Sequence, residues 1–389
     1  MSSSSSLRDY LHPPALTAGF VAVLVGFAGS VAIVFQAATA AGASPAQVGS
    51  WIMALGLGMG LTSIGLSLYY KAPVMTAWST PGAALLVTSL PGIPLSEAVG
   101  AFIFSALLIT LSGFSGIFER MMNRIPLPIA AAMLAGVLFQ FGVGVFTSME
   151  SELPLVLVMC IAYLVGKRWW PRYAIVGVLL VGLAACAGLG KLEFSVLSLT
   201  FGAPEFVAPS FTLGTLIGVG IPLFVVTMVS QNMPGIAVLR TAGYSVPLSP
   251  VIGWTGLATL VLAPFGGFAL NLAAITAAIC AGPEAHENPQ KRYVAVLSAG
   301  FFYLLLGIMG FTAAALFAAF PGEFVLALAG LALLATIANS LAGAVADDSC
   351  REAAIITFIV TASGLVIAGI GPAFWGLAAG LVAMQVFRK

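Results

Sequence analysis

Long runs of apolar residues fill this sequence, and short clusters of charged residues, proline and glycine separate them. The separators divide the chain into fourteen apolar stretches, which we interpret as membrane spans. Several are shorter than the roughly 20 residues that a helix needs to cross a bilayer, so their number needs independent support. The stretches are 16–41, 47–69, 74–90, 95–118, 127–146, 153–166, 173–190, 211–235, 249–262, 266–282, 293–319, 323–346, 353–370 and 372–387. The pattern predicts an all-α polytopic membrane protein.

The composition favours a membrane protein and excludes an ordinary soluble domain. Of the 389 residues, 60% are hydrophobic and only 7% are charged, whereas a soluble domain has about 25% charged residues. The formal net charge of +1 gives no sign of a nucleic-acid partner. The four cysteines lie far apart in the sequence, which favours reduced packing residues over a disulfide or metal site.

No motif in the sequence indicates catalysis or a bound cofactor. The chain lacks a P-loop for nucleotides, a pair of histidines or cysteines at metal-ligand spacing, and a G-x-S-x-G serine motif. His12 and His286 are expected to be solvated, and the charged cluster at 347–352 is expected to form ion pairs in a loop rather than a proton relay. We therefore expect no enzyme activity, no metal and no cofactor.

The distribution of basic residues orients the spans. With the N-terminus in the cytoplasm and fourteen alternating spans, Lys191 is the only basic residue in an outer loop, whereas the acidic residues divide about evenly. The basic residues of the predicted inner loops are Arg8, Lys71, Arg120, Arg124, Lys167, Arg168, Arg172, Arg240, Lys291, Arg292, Arg351, Arg388 and Lys389. Because one span more or fewer in the middle would destroy this asymmetry, we predict fourteen spans and two cytoplasmic termini.

Weak internal similarity divides the fourteen spans into two repeats of seven. Spans one, three and five align with spans eight, ten and twelve, which places Gln36 on Gln231 and Gln140 on Asn339. An odd number of spans per repeat makes the second repeat inverted, as in many secondary transporters. The predicted division is a cytoplasmic leader at 1–15, a first repeat at 16–190, an extracytoplasmic linker at 191–210 and a second repeat at 211–389.

Spans three and ten each begin with residues that are unsuited to a helix. In span three an extended segment at 72–79 precedes a helix start, with Thr80 as the predicted N-cap and Pro81 at the first helical position. In span ten Asn271 is the predicted cap. Inverted half-helices that start near mid-membrane would point their N-termini at each other and form an anion site without Lys or Arg. The alternative is that proline and glycine merely kink two ordinary helices.

The polar side chains predicted inside the spans are carboxamides. We interpret Gln140 and Asn339 as hydrogen-bonding links between helices. Gln231 and Asn232 precede a Pro-Gly break, so we assign them to the binding site, and Gln36 fits either role.

At these motifs the chain resembles the benzoate:proton symporter family (BenE type), over essentially its whole length. The motifs are Ser79-Thr80-Pro81-Gly82, Ser230-Gln231-Asn232-Met233-Pro234-Gly235, Pro264-Phe265-Gly266-Gly267 with Asn271, and Asp347-Asp348 followed by Arg351-Glu352-Ala353-Ala354. That family is similar in fold to uracil/nucleobase symporters and to sulfate and bicarbonate exchangers. The resemblance implies a core domain at 16–118 plus 211–319, a gate domain at 119–190 plus 320–389, and uptake of benzoate coupled to protons.

One departure from the related nucleobase symporters concerns charge. Those proteins carry carboxylates on spans eight and ten, where this chain has Gln231 and Leu270. The loss of both negative charges suits an anionic substrate, which a carboxylate would repel.

The leading hypothesis is a secondary transporter of the bacterial inner membrane that takes up benzoate with protons by alternating access. Its partners are this small organic anion, protons and the lipid bilayer, with a homodimer as a possible assembly and no nucleic acid. The predicted substrate-binding residues are Thr80, Pro81, Gly82, Gln231, Asn232, Gly267, Asn271, Leu272, Gln36, Ser79, Trp78 and Phe268. The nearest alternative is a nucleobase or other small-anion symporter or exchanger, and a channel or an intramembrane enzyme is less favoured.

Overall fold

The structure is a computed structural model that describes residues 12–116, 126–192, 199–367, 370 and 372–387. Most of the predicted leader at 1–15 therefore lies outside the described residues. The same holds for several of the basic residues used to orient the spans, namely Arg8, Arg120, Arg124, Arg388 and Lys389.

The described residues are mostly helical, as the apolar pattern predicts. The helices are α1 (Pro13–Ala28), α2 (Val31–Ala40), α3 (Pro45–Tyr70), α4 (Thr80–Ser89), α5 (Leu95–Phe114), α6 (Leu127–Trp169), α7 (Ala174–Gly188), α8 (Leu213–Arg240), α9 (Leu248–Leu262), α10 (Ile275–Ala281), α11 (Tyr293–Ile308), α12 (Gly310–Ala318), α13 (Gly322–Val345), α14 (Arg351–Ala362) and α15 (Pro372–Phe387). Eight helical segments among the described residues are long and apolar enough to cross a membrane. The chain is therefore a helical membrane protein.

Helix α6 contains a break in its middle. Its 43 residues would extend for about 65 Å as one straight helix, which is about twice the thickness of the hydrocarbon core. Glu152 leaves the helical conformation, with φ −134° and ψ 54°, and Pro154 follows it inside the helix. Glu152 pairs with Lys191, just beyond the end of α7. The break therefore lies beside the end of α7, and it separates the two predicted spans at 127–146 and 153–166.

A short antiparallel ribbon lies inside the helical protein. Strand β1 (Thr76–Trp78) pairs with strand β2 (Leu270–Leu272), and Ala77 lies opposite Asn271. The ribbon extends by one hydrogen bond at each end, from the Ser79 N–H to the Ala269 carbonyl and from the Ala273 N–H to the Met75 carbonyl. The alternative of two ordinary kinked helices is wrong, because both segments pair as strands.

Side chains of the neighbouring helices satisfy the outward-facing N–H groups of the ribbon. Ser63 Oγ accepts from the Thr76 N–H at 3.0 Å and Thr259 Oγ1 accepts from the Leu270 N–H at 3.0 Å. The Trp78 N–H lies 3.2 Å from Met59 Sδ. Irregular backbone at membrane depth needs such partners, since an unpaired buried N–H is costly in apolar surroundings.

Small residues hold α3 against α11. A Cβ atom on Gly56 would lie 2.5 Å from the Cα of Gly307, and one on Gly300 would lie 2.5 Å from Ile64 Cγ1. Such close approach of two helices is typical of packing in membranes, where dispersion contacts replace the hydrophobic driving force. Helix α3 in turn supplies Ser63 and Met59, which contact β1.

Candidate functional site

A cavity of about 860 Å³ lies where the ribbon meets the starts of α4 and α10. Its lining includes residues of α1, β1, α4, α8 and α10, and also residues of α6, α7 and α13. Most lining residues are apolar, and no Asp, Glu or His is among the described residues that line it. The cavity therefore offers an apolar chamber with a few polar groups, as small-molecule sites commonly do.

The start of α4 is capped by Ser79, which corrects the prediction that Thr80 is the N-cap. Ser79 is extended, with φ −78° and ψ 100°, and its Oγ accepts a hydrogen bond from the Gly82 N–H at 2.9 Å. Thr80 is already helical, so Pro81 occupies the first turn, where its missing N–H costs nothing. Thr80 and Pro81 line the cavity, whereas Ser79 and Gly82 lie behind them.

Asn271 is not the cap of the second half-helix, which corrects the corresponding prediction for span ten. It lies at the centre of β2, where its Nδ2 donates to the Ala269 carbonyl at 2.8 Å. Pairing with β1 keeps the chain extended through Leu272, so α10 begins only at Ile275. The N–H groups of Leu272 and Ala273 are used inside the protein, by Asn232 Oδ1 and by the Met75 carbonyl. The backbone at 273–276 lines the cavity instead.

The two adjacent carboxamides of α8 have different surroundings. Both belong to a π-helical segment, Met228–Asn232, and such segments often occur at functional sites. Gln231 is half-buried and lines the cavity, and no described residue is hydrogen bonded to its carboxamide. Asn232 is fully buried, accepts from the Leu272 N–H at 2.9 Å and lies 3.2 Å from Met228 Sδ through Nδ2. Gln231 is available to a ligand, whereas Asn232 holds the ribbon.

Of the predicted binding residues, the structure brings Trp78, Thr80, Pro81 and Gln231 to the cavity lining. The others lie outside the lining: Gly82, Asn232, Gly267, Asn271, Leu272, Gln36, Ser79 and Phe268.

Phe268 and Gln36 illustrate the roles of residues outside the lining. Phe268 is fully buried and packs against Trp51 and Phe102, with ring centroids 5.9 and 5.8 Å apart. Gln36 donates to the Val325 carbonyl at 3.2 Å and so links α2 to α13. These two side chains therefore act in packing and in a contact between helices.

Ser30 is a cavity residue that had no local signal in the sequence. Ser30 Oγ accepts from the Trp78 indole N–H at 2.7 Å and thereby fixes the ring at the cavity wall.

Asn339 faces the cavity, and no described residue is hydrogen bonded to it, so its predicted role as a link between helices is wrong. Gln140 donates to the Ala362 carbonyl at 3.0 Å, as predicted for such a link. Lys167 is the only charged residue among the described lining residues.

Replacing Asn232 by leucine is expected to lower stability. The change removes the acceptor of the buried Leu272 N–H at similar side-chain volume, and an unpaired buried donor costs about 1–3 kcal/mol. The control is Gln231→Leu, which leaves every described hydrogen bond intact. Thermal unfolding in detergent should show a clearly lower melting temperature for Asn232→Leu alone. Equal melting temperatures for both variants would contradict the structural role of Asn232.

A family profile described as "Benzoate membrane transport protein" (BenE) matches residues 9–386 of this chain. The chain is 48% identical over 378 residues to "Inner membrane protein YdcO" of Escherichia coli, with 97% of each chain covered. It is 42% identical over 375 residues to the "Benzoate membrane transport protein" of Acinetobacter baylyi, covering 96% of this chain and 95% of that protein.

Two solved structures have a similar fold. The transmembrane domain of the cyanobacterial bicarbonate transporter BicA matches with a TM-score of 0.62 at 14% identity, covering 98% of this chain and 97% of that one. The anion transporter family member SLC26A9 matches with a TM-score of 0.62 at 14% identity. This match covers 98% of the chain but 66% of SLC26A9. At this level of identity the similarity concerns the fold alone.

Proposed function

This chain belongs to the family of benzoate membrane transport proteins, and on that premise we propose that it carries benzoate or a closely related aromatic carboxylate across a bacterial inner membrane. The observation that carries the proposal is the cavity of about 860 Å³ at the two half-helix starts, whose described lining contains no acidic side chain. A small aromatic anion needs an apolar wall for its ring and a site free of negative charge for its carboxylate.

The carboxylate is placed between the start of α4 and Gln231. The Thr80 hydroxyl and the Gln231 carboxamide are the donors, and no described residue is hydrogen bonded to either side chain. The N-terminal end of the α4 dipole adds about half a positive charge, although the Gly82 N–H is already bonded to Ser79 Oγ. Trp78, Pro81 and Ile279 provide the apolar surface for the ring. Basic side chains are thus unnecessary at the depth of the half-helices.

Transport proceeds by movement of a core domain at 16–118 plus 211–319 against a gate domain at 119–190 plus 320–389, within fourteen spans arranged as two inverted repeats. The cavity lies on the boundary between these two parts: Trp78 and Gln231 belong to the first, and Leu134 and Asn339 belong to the second. A site on such a boundary can be exposed to either side in turn when one domain moves.

Both termini are placed in the cytoplasm, which makes the end of the cavity near Lys167 its cytoplasmic opening. Uptake is coupled to protons, in keeping with the family resemblance. Since no Asp, Glu or His lines the described part of the cavity, the coupling group lies elsewhere or the proton travels with the substrate. An inward proton gradient should then accelerate uptake above the rate seen without a gradient.

Counterflow in proteoliposomes tests the function directly. Vesicles loaded with unlabelled benzoate should accumulate external labelled benzoate faster than protein-free vesicles do. Unlabelled benzoate and substituted benzoates should compete, while uracil and sulfate should not. Competition by uracil or sulfate would favour the alternative of a nucleobase or small-anion carrier, and currents without counterflow would favour a channel.

A further inference from the structure

We infer that Lys167 selects anionic over neutral substrates by drawing them into the mouth of the cavity. The inference rests on the proposed transport function of this same cavity. The proposed carboxylate site at the half-helix starts contains no basic side chain. Lys167 adds a positively charged group to a different part of the same cavity.

The position of Lys167 follows from the break in α6. Lys167 and Leu127 both line the cavity, although they lie near opposite ends of that helix. A straight helix would hold them about 60 Å apart, so the chain must fold back at Glu152 for both to reach one cavity. Pro171 and Ile175, which follow in the chain, line the same region. Lys167 lies near the end of α6, and its side chain lines the cavity while remaining exposed, so we place it at the mouth of the cavity rather than at the ribbon.

The charge of Lys167 has no acidic partner among the described residues. Two ion pairs among the described residues, Glu152 with Lys191 and Asp348 with Arg351, lie at other positions. The Lys167 ammonium lies 5.9 Å from the centroid of the Tyr163 ring, which orients the side chain without neutralising it. The C-terminal end of α6 carries about half a negative charge, which offsets only part of the unit charge. A net positive charge thus faces the opening.

A single positive charge at the opening of the cavity affects how readily an anionic substrate enters it. Apolar walls focus the electric field of the ammonium along the cavity. This field raises the local concentration of anions and leaves that of neutral molecules unchanged. The expected effect of its loss is a rise of about tenfold in the KM for benzoate, with kcat nearly unchanged, since the half-helix starts are untouched. Salt should weaken the effect, because an exposed charge is screened.

The neighbouring residue supplies a matched control. Arg168 is also exposed and also cationic, but it does not line the cavity. Lys167→Gln and Arg168→Gln therefore remove the same charge from adjacent positions, and only one of them faces the substrate path. Lys167→Arg keeps the charge and should behave like the unaltered chain. Because these side chains are exposed, all three variants should fold, which equal melting temperatures would show.

The experiment measures benzoate counterflow for these variants at low and high ionic strength, with benzamide as a neutral competitor of the same shape. We expect Lys167→Gln alone to raise the KM for benzoate about tenfold at low salt, and inhibition by benzamide to stay unchanged. Equal KM values for Lys167→Gln and Arg168→Gln would overturn the inference alone, as would an equal loss of benzoate and benzamide affinity. Absence of benzoate counterflow by the unaltered chain would overturn the proposed function and the inference with it.

Discussion

Gln231→Glu is expected to abolish benzoate transport at neutral pH. The substitution changes little in size, but it places a negative charge on the cavity wall opposite the proposed carboxylate. Two like charges about 5 Å apart repel by roughly 3 kcal/mol at an effective dielectric constant of about 20, which is more than 100-fold in affinity. Counterflow of labelled benzoate at subsaturating concentration should therefore fall to the level of protein-free vesicles.

A neutral variant separates charge from lost hydrogen bonds. Gln231→Leu removes the donors without adding charge, so we expect a loss of about tenfold, because a hydrogen bond from this half-buried side chain to a charged group contributes about 1.5 kcal/mol. Both variants should reach the membrane and unfold at the same temperature, since Gln231 has no described hydrogen-bond partner. If Gln231→Glu transports benzoate as well as Gln231→Leu does, the carboxylate of the substrate does not lie near residue 231.

The sequence located the two irregular segments but not their internal geometry. Proline, glycine and small polar residues at 79–82 and 264–271 are local signals, and the segments are irregular where these signals lie. The position of a cap depends on which residue first becomes helical, and adjacent Ser79 and Thr80 both belong to residue types that cap helices. In the second segment, pairing with β1 keeps Leu272 and Ala273 out of the helix. That pairing joins residues far apart in the chain, so local propensity could not reveal it.

The side chains that line the cavity were harder to predict than the place of the cavity in the fold. Gln140 and Asn339 align in the two predicted repeats and have the same functional group, yet Gln140 bonds to the Ala362 carbonyl and Asn339 faces the cavity. The face that a membrane helix turns inward depends on packing against its neighbours, because lipid and protein interior are equally apolar. Lys167 could be assigned to a loop by its charge, but its role depends on the fold-back of α6 at Glu152.

Gly266→Ala is expected to destabilise the folded protein severely. Gly266 ends the short helical turn Ala263–Phe265 and leads into β2 with φ +92°. A Cβ atom there would lie 1.8 Å from Trp51 Cδ1. Trp51 is itself 1% exposed and packs against Phe102 and Phe268, so its indole cannot move aside. The substitution must therefore displace the turn, β2 or the aromatic cluster.

Gly42→Ala is the matched control, because Gly42 also has a left-handed conformation, with φ +72°, but a Cβ atom added to it would have no neighbour within 4 Å. It should lose only the roughly 1–2 kcal/mol of a left-handed alanine. Gly266→Ala should lose up to about 5 kcal/mol, since overpacking adds about 1–3 kcal/mol to the same backbone strain. Thermal unfolding in detergent and the yield of monodisperse protein should separate the two variants. Comparable melting temperatures would mean that the Trp51 cluster yields and that β2 tolerates displacement, and benzoate counterflow by Gly266→Ala would then show whether the ribbon geometry matters for transport.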